Sequence, residues 1–200
     1  MILIITRHGQ TEENKLGILQ GHLPWKLSEL WIEQAKKLAL RLKDEEIDYI
    51  YSSDLTRSAD TAKEIARYHT NAPIKFTKEL RERFLWERQW KTKVELWFAK
   101  DTSLAELSSN NWETPEELFN RAKKLLDLTI EKHINDTILF VCHGGLNKFI
   151  IAAILWKDLS EIKTIETLHN TSICTFEINK NRNYKMIEFN NIDHLYLNTN

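Results

Sequence analysis

Long hydrophobic runs, paired cysteines and net charge are all missing from this 200-residue chain. Each absence removes a class of function. The first apolar run, Ile2-Leu3-Ile4-Ile5, meets Arg7 almost at once. A membrane span needs about 20 apolar residues, and a signal peptide needs a longer apolar centre than this. Neither is expected, and a cytoplasmic location is the default reading. Basic and acidic residues number 28 and 29, for a net charge of -1. With no global basic field there is no electrostatic case for nucleic acid or an anionic membrane, so any affinity for anions must be local. Cys142 and Cys174 make no disulfide framework. Each falls in a predicted buried strand, where a thiol acts as a small apolar group. No C-x-x-C or H-E-x-x-H pair is present, which argues against a metal site.

Glycine is scarce as well: Gly9, Gly17, Gly21, Gly144 and Gly145 are the full set. All lie in or close to two short motifs, where close approach to a ligand or a left-handed turn calls for them. No repeat or low-complexity linker divides the chain, and its length suits one domain with a sizeable core.

Those two motifs end two predicted strands in the same way. Ile2-Leu3-Ile4-Ile5 leads into Thr6-Arg7-His8-Gly9. Ile138-Leu139-Phe140-Val141 leads into Cys142-His143-Gly144-Gly145. Ligands of parallel α/β sheets bind beyond the carboxyl ends of the strands, so two such strands deliver two imidazoles to one point. Arg7 beside the first implies an anionic guest, and phosphate is the usual one. A third strand, Ile47 to Tyr51, is followed by Ser52 to Ala62, which opens a helix with Arg57 near its start. Leu80-Arg81-Glu82-Arg83 places a carboxylate after a fourth extended stretch.

The remaining pattern alternates. Ser28 reads as the cap of a helix with Ile32, Ala35, Leu38, Ala39 and Leu42 on one face. A second helix runs from Arg57 to His69 and turns Ala62, Ile65 and Ala66 inward. Thr114-Pro115-Glu116-Glu117 opens a third that continues to His133, with a capping threonine, proline at the first position and glutamate at the third. A strand from Thr137 to Cys142 and a helix from Gly145 to Trp156 follow. Ser172–Ile178 and Tyr184–Phe189 read as a hairpin at the sheet edge. The expected fold is a three-layer α/β/α arrangement around a mostly parallel sheet. Residues 84–112 break the rhythm. They hold Trp86, Trp90, Trp97 and Trp112, with Arg88, Lys91 and Lys93 interleaved. Each tryptophan there is first read as packing.

Arg7-His8-Gly9 with Thr11 and Asn14, the segment around Arg57, the Leu-Arg-Glu ending at Glu82, and His143-Gly144 resemble the histidine phosphatase superfamily. More closely, they resemble its phosphoglycerate-mutase-like branch. The resemblance runs in order from Met1 to about Phe176. It implies a phosphoglycerate-mutase-like fold, one domain over residues 1–200, and a small lid insertion at residues 84–112.

The side chains permit the chemistry that the resemblance implies. His8 can be the nucleophile, forming a phosphohistidine. Its other nitrogen then needs an acceptor, expected to be a backbone carbonyl of the Gly9 turn. Arg7 and Arg57 can clamp phosphate oxygens with planar forks. His143, if protonated, adds a third cationic donor. Asn14 and the N–H of Gly144 can donate to the same group, and Gln20 and Gly21 complete the substrate-binding set. Glu82 is the candidate general acid, expected to be buried, with Glu79 and Glu87 as competitors. No metal and no cofactor are called for. His69, His133, His169 and His194 read as structural or solvated. His22, in the loop after Gly21, is the exception to watch.

Three positions depart from the family pattern. Trp86 and Trp31 stand where glycine is usual, and Pro24-Trp25 where an aspartate is common. All three bear on pocket shape, and none is expected to touch the phosphate chemistry. The leading reading is a metal-independent phosphatase of small organic phosphate monoesters. One alternative is a 2,3-bisphosphoglycerate-dependent phosphoglycerate mutase. It is disfavoured by the short interval from Glu82 to His143 and kept open by Arg81, Arg83, Arg88 and Lys91. A non-catalytic phospho-ligand binder is the other. The expected partner is a small-molecule phosphate ester; sugar phosphates, phosphoserine, nucleotide-derived esters and a cobalamin-pathway phosphate all stay open. Oligomeric state is not legible.

Overall fold

Strand β1 (Ile2–Arg7) divides its side chains between two cores: Leu3 and Ile5 enter one, Ile4 the other. Strand β4 (Thr137–Cys142) does the same, with Ile138 and Phe140 set against Leu139 and Val141. A strand covered on both faces must be apolar on both, which is why these two read as continuous apolar runs. The computed structural model describes residues 1–25, 28–85, 89–92 and 112–196. Four more strands lie among them: β2 (Tyr49–Ser53), β3 (Ile74–Thr77), β5 (Ile173–Ile178) and β6 (Tyr184–Asn191). Their order in the sheet is β3-β2-β4-β1-β5-β6. The β3-β2-β4-β1 part is parallel, and β5 and β6 add antiparallel strands at one edge.

Helices α2 (Glu29–Leu42) and α3 (Thr56–Ala66) cover one face. Helices α4 (Pro115–Lys132) and α5 (Gly144–Ile154) cover the other. The three-layer, mostly parallel arrangement is the one the sequence leads one to expect. So is the start of α4. Thr114 accepts from the Glu117 N–H at 3.1 Å, and the Glu117 carboxylate accepts from the Thr114 N–H at 2.8 Å. A cap of this kind contributes about 1 kcal/mol.

Some bounds differ. Ser28 precedes α2, yet its hydroxyl makes no cap bond. Trp31 takes the inward position at the start of α2, which rotates Ile32 out to 41% exposure. Helix α3 stops at Ala66 rather than His69. A short helix not anticipated from sequence, α1 (Glu12–Lys15), carries its own capping box between Thr11 and Asn14. Of residues 84–112, only 84–85, 89–92 and 112 are among the described residues, so Trp86, Glu87, Arg88, Lys93 and Trp97 lie outside them. Residues 89–92 pair with the loop after α1. Leu19 donates to the Lys91 carbonyl, Trp90 to the Leu19 carbonyl, and Ile18 bridges Thr92.

The site follows from one topological fact. β1 and β4 are parallel neighbours, with Arg7 opposite Cys142. β1 runs out toward the α2 face, and β4 runs into α5 on the other. Connections that diverge from adjacent strands open a crevice at their carboxyl ends. Among the described residues no helix is long and apolar enough to cross a membrane.

Candidate active site

His8 follows β1 directly, and His143 follows β4 directly as the residue before α5. Their rings lie 5.1 Å apart. His8 Nδ1 is 2.6 Å from the Gly9 carbonyl. A carbonyl only accepts, so Nδ1 carries the proton and Nε2 keeps its lone pair. Arg57, the second residue of α3, donates its Nε–H to that lone pair at 3.3 Å. Its Nη2 donates to the Gly21 carbonyl at 2.8 Å and its Nη1 to the Leu23 carbonyl at 3.3 Å. Arg7 donates from Nη1 to the Leu168 carbonyl at 2.8 Å, and its Nε is buried with no partner among the described residues. Gly144 packs against the Arg7 guanidinium.

The electrostatics follow from burial. His8, Arg57 and His143 are 3%, 1% and 0% exposed. Burial, then Arg57 and Arg7, push His8 well below the usual imidazole range, against the pull of its bond to Gly9. Burial also pushes His143 well down, helped by Arg57, His8 and Arg7. The protonation on which a third positive charge from His143 depends is therefore disfavoured by its surroundings. The ring enters as a neutral imidazole with Nε2 3.2 Å from Ser58 Oγ and Nδ1 buried without a partner among the described residues. Burial lowers Arg57 to about 10, with Glu82 opposing, and lowers Arg7, again with Glu82 opposing. Both remain cations at neutral pH.

Glu82 stands across from the arginines. It is half-buried rather than buried. Its Oε1 accepts from the N–H groups of Arg83 at 2.8 Å and Leu146 at 3.1 Å, and its Oε2 from Gly145 at 2.9 Å. Glu82 thus caps α5, whose first residues belong to the second motif. Glu79 is exposed, and Glu87 lies outside the described residues.

Asn14 and Gln20 divide. Asn14 Oδ1 accepts from the Thr11 N–H at 3.2 Å and from Asn170 Nδ2 at 3.3 Å. Its NH₂ end is then the one left for an anion. Gln20 instead donates its amide to Thr11 Oγ1 and braces the cap of α1. Gly21 holds φ +49°, and a β-carbon there would collide with the Gln89 side chain.

Several contacts were not visible in the sequence. Asn170 donates to the His8 carbonyl at 2.8 Å, and Thr171 donates its N–H to the Arg7 carbonyl at 2.9 Å. The one local signal was the polar turn Asn-Thr-Ser before β5. Thr61 Oγ1 accepts from the Gly9 N–H at 3.4 Å. Trp31, expected to stay clear of the phosphate chemistry, packs its indole where a β-carbon of Gly9 would stand, and its Nε1 is buried without a partner among the described residues. It reaches the turn after His8 because the first turns of α2 pack there; Gln34 Oε1 likewise accepts from the Gln10 N–H at 3.0 Å. His22 Nε2 is 2.7 Å from the Glu82 carbonyl. Among the described residues no cluster of His, Cys, Asp and Glu could hold a metal ion.

Two imidazoles and two guanidiniums gather at the carboxyl ends of neighbouring parallel strands, with a carboxylate nearby, an arrangement suited to an anionic phosphate group. The chain belongs to the histidine phosphatase superfamily (branch 1), whose pattern residues 3–192 match. It is 28% identical over 202 residues to phosphoglycerate mutase-like protein 4 of Arabidopsis thaliana, covering 96% of this chain and 86% of that one. It is 32% identical to phosphoserine phosphatase 1 of Hydrogenobacter thermophilus, over 80% of this chain and 78% of that one. The solved phosphoserine phosphatase of Entamoeba histolytica, in complex with 3-phosphoglyceric acid, matches with a TM-score of 0.81 at 28% identity, covering 97% of this chain and 98% of that one.

Proposed function

We propose that this phosphatase hydrolyses small organic phosphate monoesters without a metal, through a phosphohistidine on His8. The observation that carries the reading is the Nδ1–H bond from His8 to the Gly9 carbonyl, which leaves Nε2 as the attacking atom. In the first step the Nε2 lone pair attacks phosphorus and the P–O bond to the alcohol breaks. Glu82, protonated when substrate is bound, gives its proton to the departing oxygen. In the second step Glu82, now a carboxylate, takes a proton from water. The water oxygen attacks phosphorus, and the P–N electron pair returns to Nε2. Arg7 and Arg57 balance charge on the phosphoryl oxygens, and Asn14, Gly144 and His143 supply N–H donors.

A mutase would need free cations for a second anionic group. Arg81 is held by Asp54 in a two-point pair at 2.6 and 2.7 Å. Arg83 donates to the Glu113 carbonyl at 2.7 Å and lies over the Trp112 ring. The Arg81 pair favours water as the acceptor; Arg83 keeps Nη2 buried and without a partner among the described residues. The names of the relatives make phosphoserine the first ester to try. The reading keeps residues 1–200 as one domain. Free, buried Cys142 and Cys174 suit a reducing compartment such as the cytoplasm.

The test is a phosphate-labelled ester quenched in alkali, since phosphohistidine is acid-labile. Label on His8 is expected, with none in His8→Ala and undiminished turnover after exhaustive chelation. Turnover in His8→Ala, or activity lost to chelator and restored by a divalent cation, would overturn it.

A further inference from the structure

The candidate acid is held from two directions. Its carboxylate is fixed by the first N–H groups of α5. Its backbone is fixed by His22. The Glu82 carbonyl accepts at 2.7 Å from His22 Nε2, so that nitrogen carries the proton. The His22 ring packs on Phe84 at 5.0 Å, and its backbone N–H donates to Gln89 Oε1 at 2.7 Å. Burial, then nearby Arg81 and Arg121, hold the imidazole below its ordinary range, opposed by its bond to the Glu82 carbonyl. The residues on either side of His22 do something different. Gly21 and Leu23 turn their carbonyls to Arg57. One short loop therefore touches both halves of the centre: the phosphate clamp through its carbonyls and the proton donor through the His22 side chain.

We infer that His22 is a positioning residue for the acid, setting the Glu82 peptide through Nε2–H, and that it acts on proton donation to the leaving alcohol rather than on phosphate capture. The inference rests on the reading of Glu82 given above. A neighbouring clamp makes it discriminating. Arg121 already holds the Glu79 and Arg81 carbonyls at 2.6 and 3.0 Å. If that clamp alone placed the acid, His22 would be dispensable. Of these two backbone clamps, His22 reaches the residue 82 carbonyl itself and is tied to the Arg57 loop.

Single-turnover phosphorylation of an alkyl phosphate and of p-nitrophenyl phosphate tests it, in wild type, His22→Ala, His22→Gln and Glu82→Gln. Misplacing a catalytic group by an ångström costs up to about 100-fold. His22→Ala should slow the alkyl ester by about ten-fold or more and the aryl ester by under about three-fold, because nitrophenolate needs no proton. His22→Gln, which keeps an N–H donor of similar reach, should recover most of the loss. Equal losses on both esters, no loss, or a glutamine variant no better than alanine in folded protein would each overturn the inference. If Glu82→Gln shows the ester bias and His22→Ala does not, the acid assignment stands and this inference alone fails. If Glu82→Gln shows no bias, the assignment of the acid fails first and takes the inference with it.

Discussion

Arg57 donates its Nε–H to Nε2 of His8 across 3.3 Å, so the atom proposed to attack phosphorus is hydrogen-bonded before substrate arrives. The rest of that guanidinium is turned to the Gly21 and Leu23 carbonyls. Phosphate oxygens, being anionic, are stronger acceptors than either a neutral imidazole or a carbonyl. In the proposed mechanism the resting contact aligns Arg57 with His8 and gives way to substrate.

Arg57→Lys keeps the charge and loses the fork. A charge-assisted hydrogen bond contributes about 1.5–3 kcal/mol, so kcat/KM should fall by about 10- to 100-fold. Arg57→Ala should fall further. Steady-state kinetics on any accepted ester would check this, and a lysine variant equal to wild type would mean that the fork is not used.

For Glu82→Gln, the isosteric amide cannot give a carboxyl proton. Phosphorylation by alkyl esters should slow by about 100-fold or more while p-nitrophenyl phosphate loses far less. Single-turnover rates are the proper measurement, because the proposed mechanism uses Glu82 in the second step as well. A larger selective loss in Glu79→Gln would move the role to that residue.

Gly9 and Trp31 should be energetically coupled. A β-carbon on Gly9 falls inside the Trp31 indole. Overpacking of that kind costs about 1–3 kcal/mol. Gly9→Ala should therefore destabilise the wild type by at least that much, and much less in a Trp31→Ala background. Urea unfolding of the four variants gives the coupling energy directly; additive effects would show that the two residues do not press on one another.

Histidines wholly or partly buried should make the fold acid-sensitive. His8, His22, His69, His143 and His194 all sit below their ordinary value of 6.5, with burial the largest cause, and His194 reaches about 4. Folded protein then binds fewer protons than unfolded chain below pH 6.5. Stability is complete above that pH and declines as pH falls toward the folded values. His194, buried with both ring nitrogens unpartnered among the described residues and with Arg41 and Lys37 nearby, is the cleanest probe. His194→Leu should have the higher Tm at pH 5 and a shallower decline from pH 7 to pH 4. Parallel Tm profiles for the two proteins would remove His194 from this account.

The candidates Arg7, His8, Arg57 and His143 could be picked from the sequence because each stands in a short motif at the end of a strand or the start of a helix, and Glu82 because it follows Leu80-Arg81 just beyond β3. Such signals are local: apolar runs, a capping box and scarce glycines are readable without neighbours. The strands and α4 were legible for the same reason. What the tertiary structure alone decided is how those groups are held. Trp31 under Gly9, Asn170 on the His8 carbonyl, His22 on the Glu82 carbonyl and Asp54 on Arg81 join residues far apart in the chain. No periodicity encodes such pairs. They arise because β4 comes to lie beside β1 with β5 on its other side, and because helices from both faces close over the crevice. The neutral state of His143 has the same origin, since proton affinity depends on burial and on neighbouring charge, and both are properties of the packed chain.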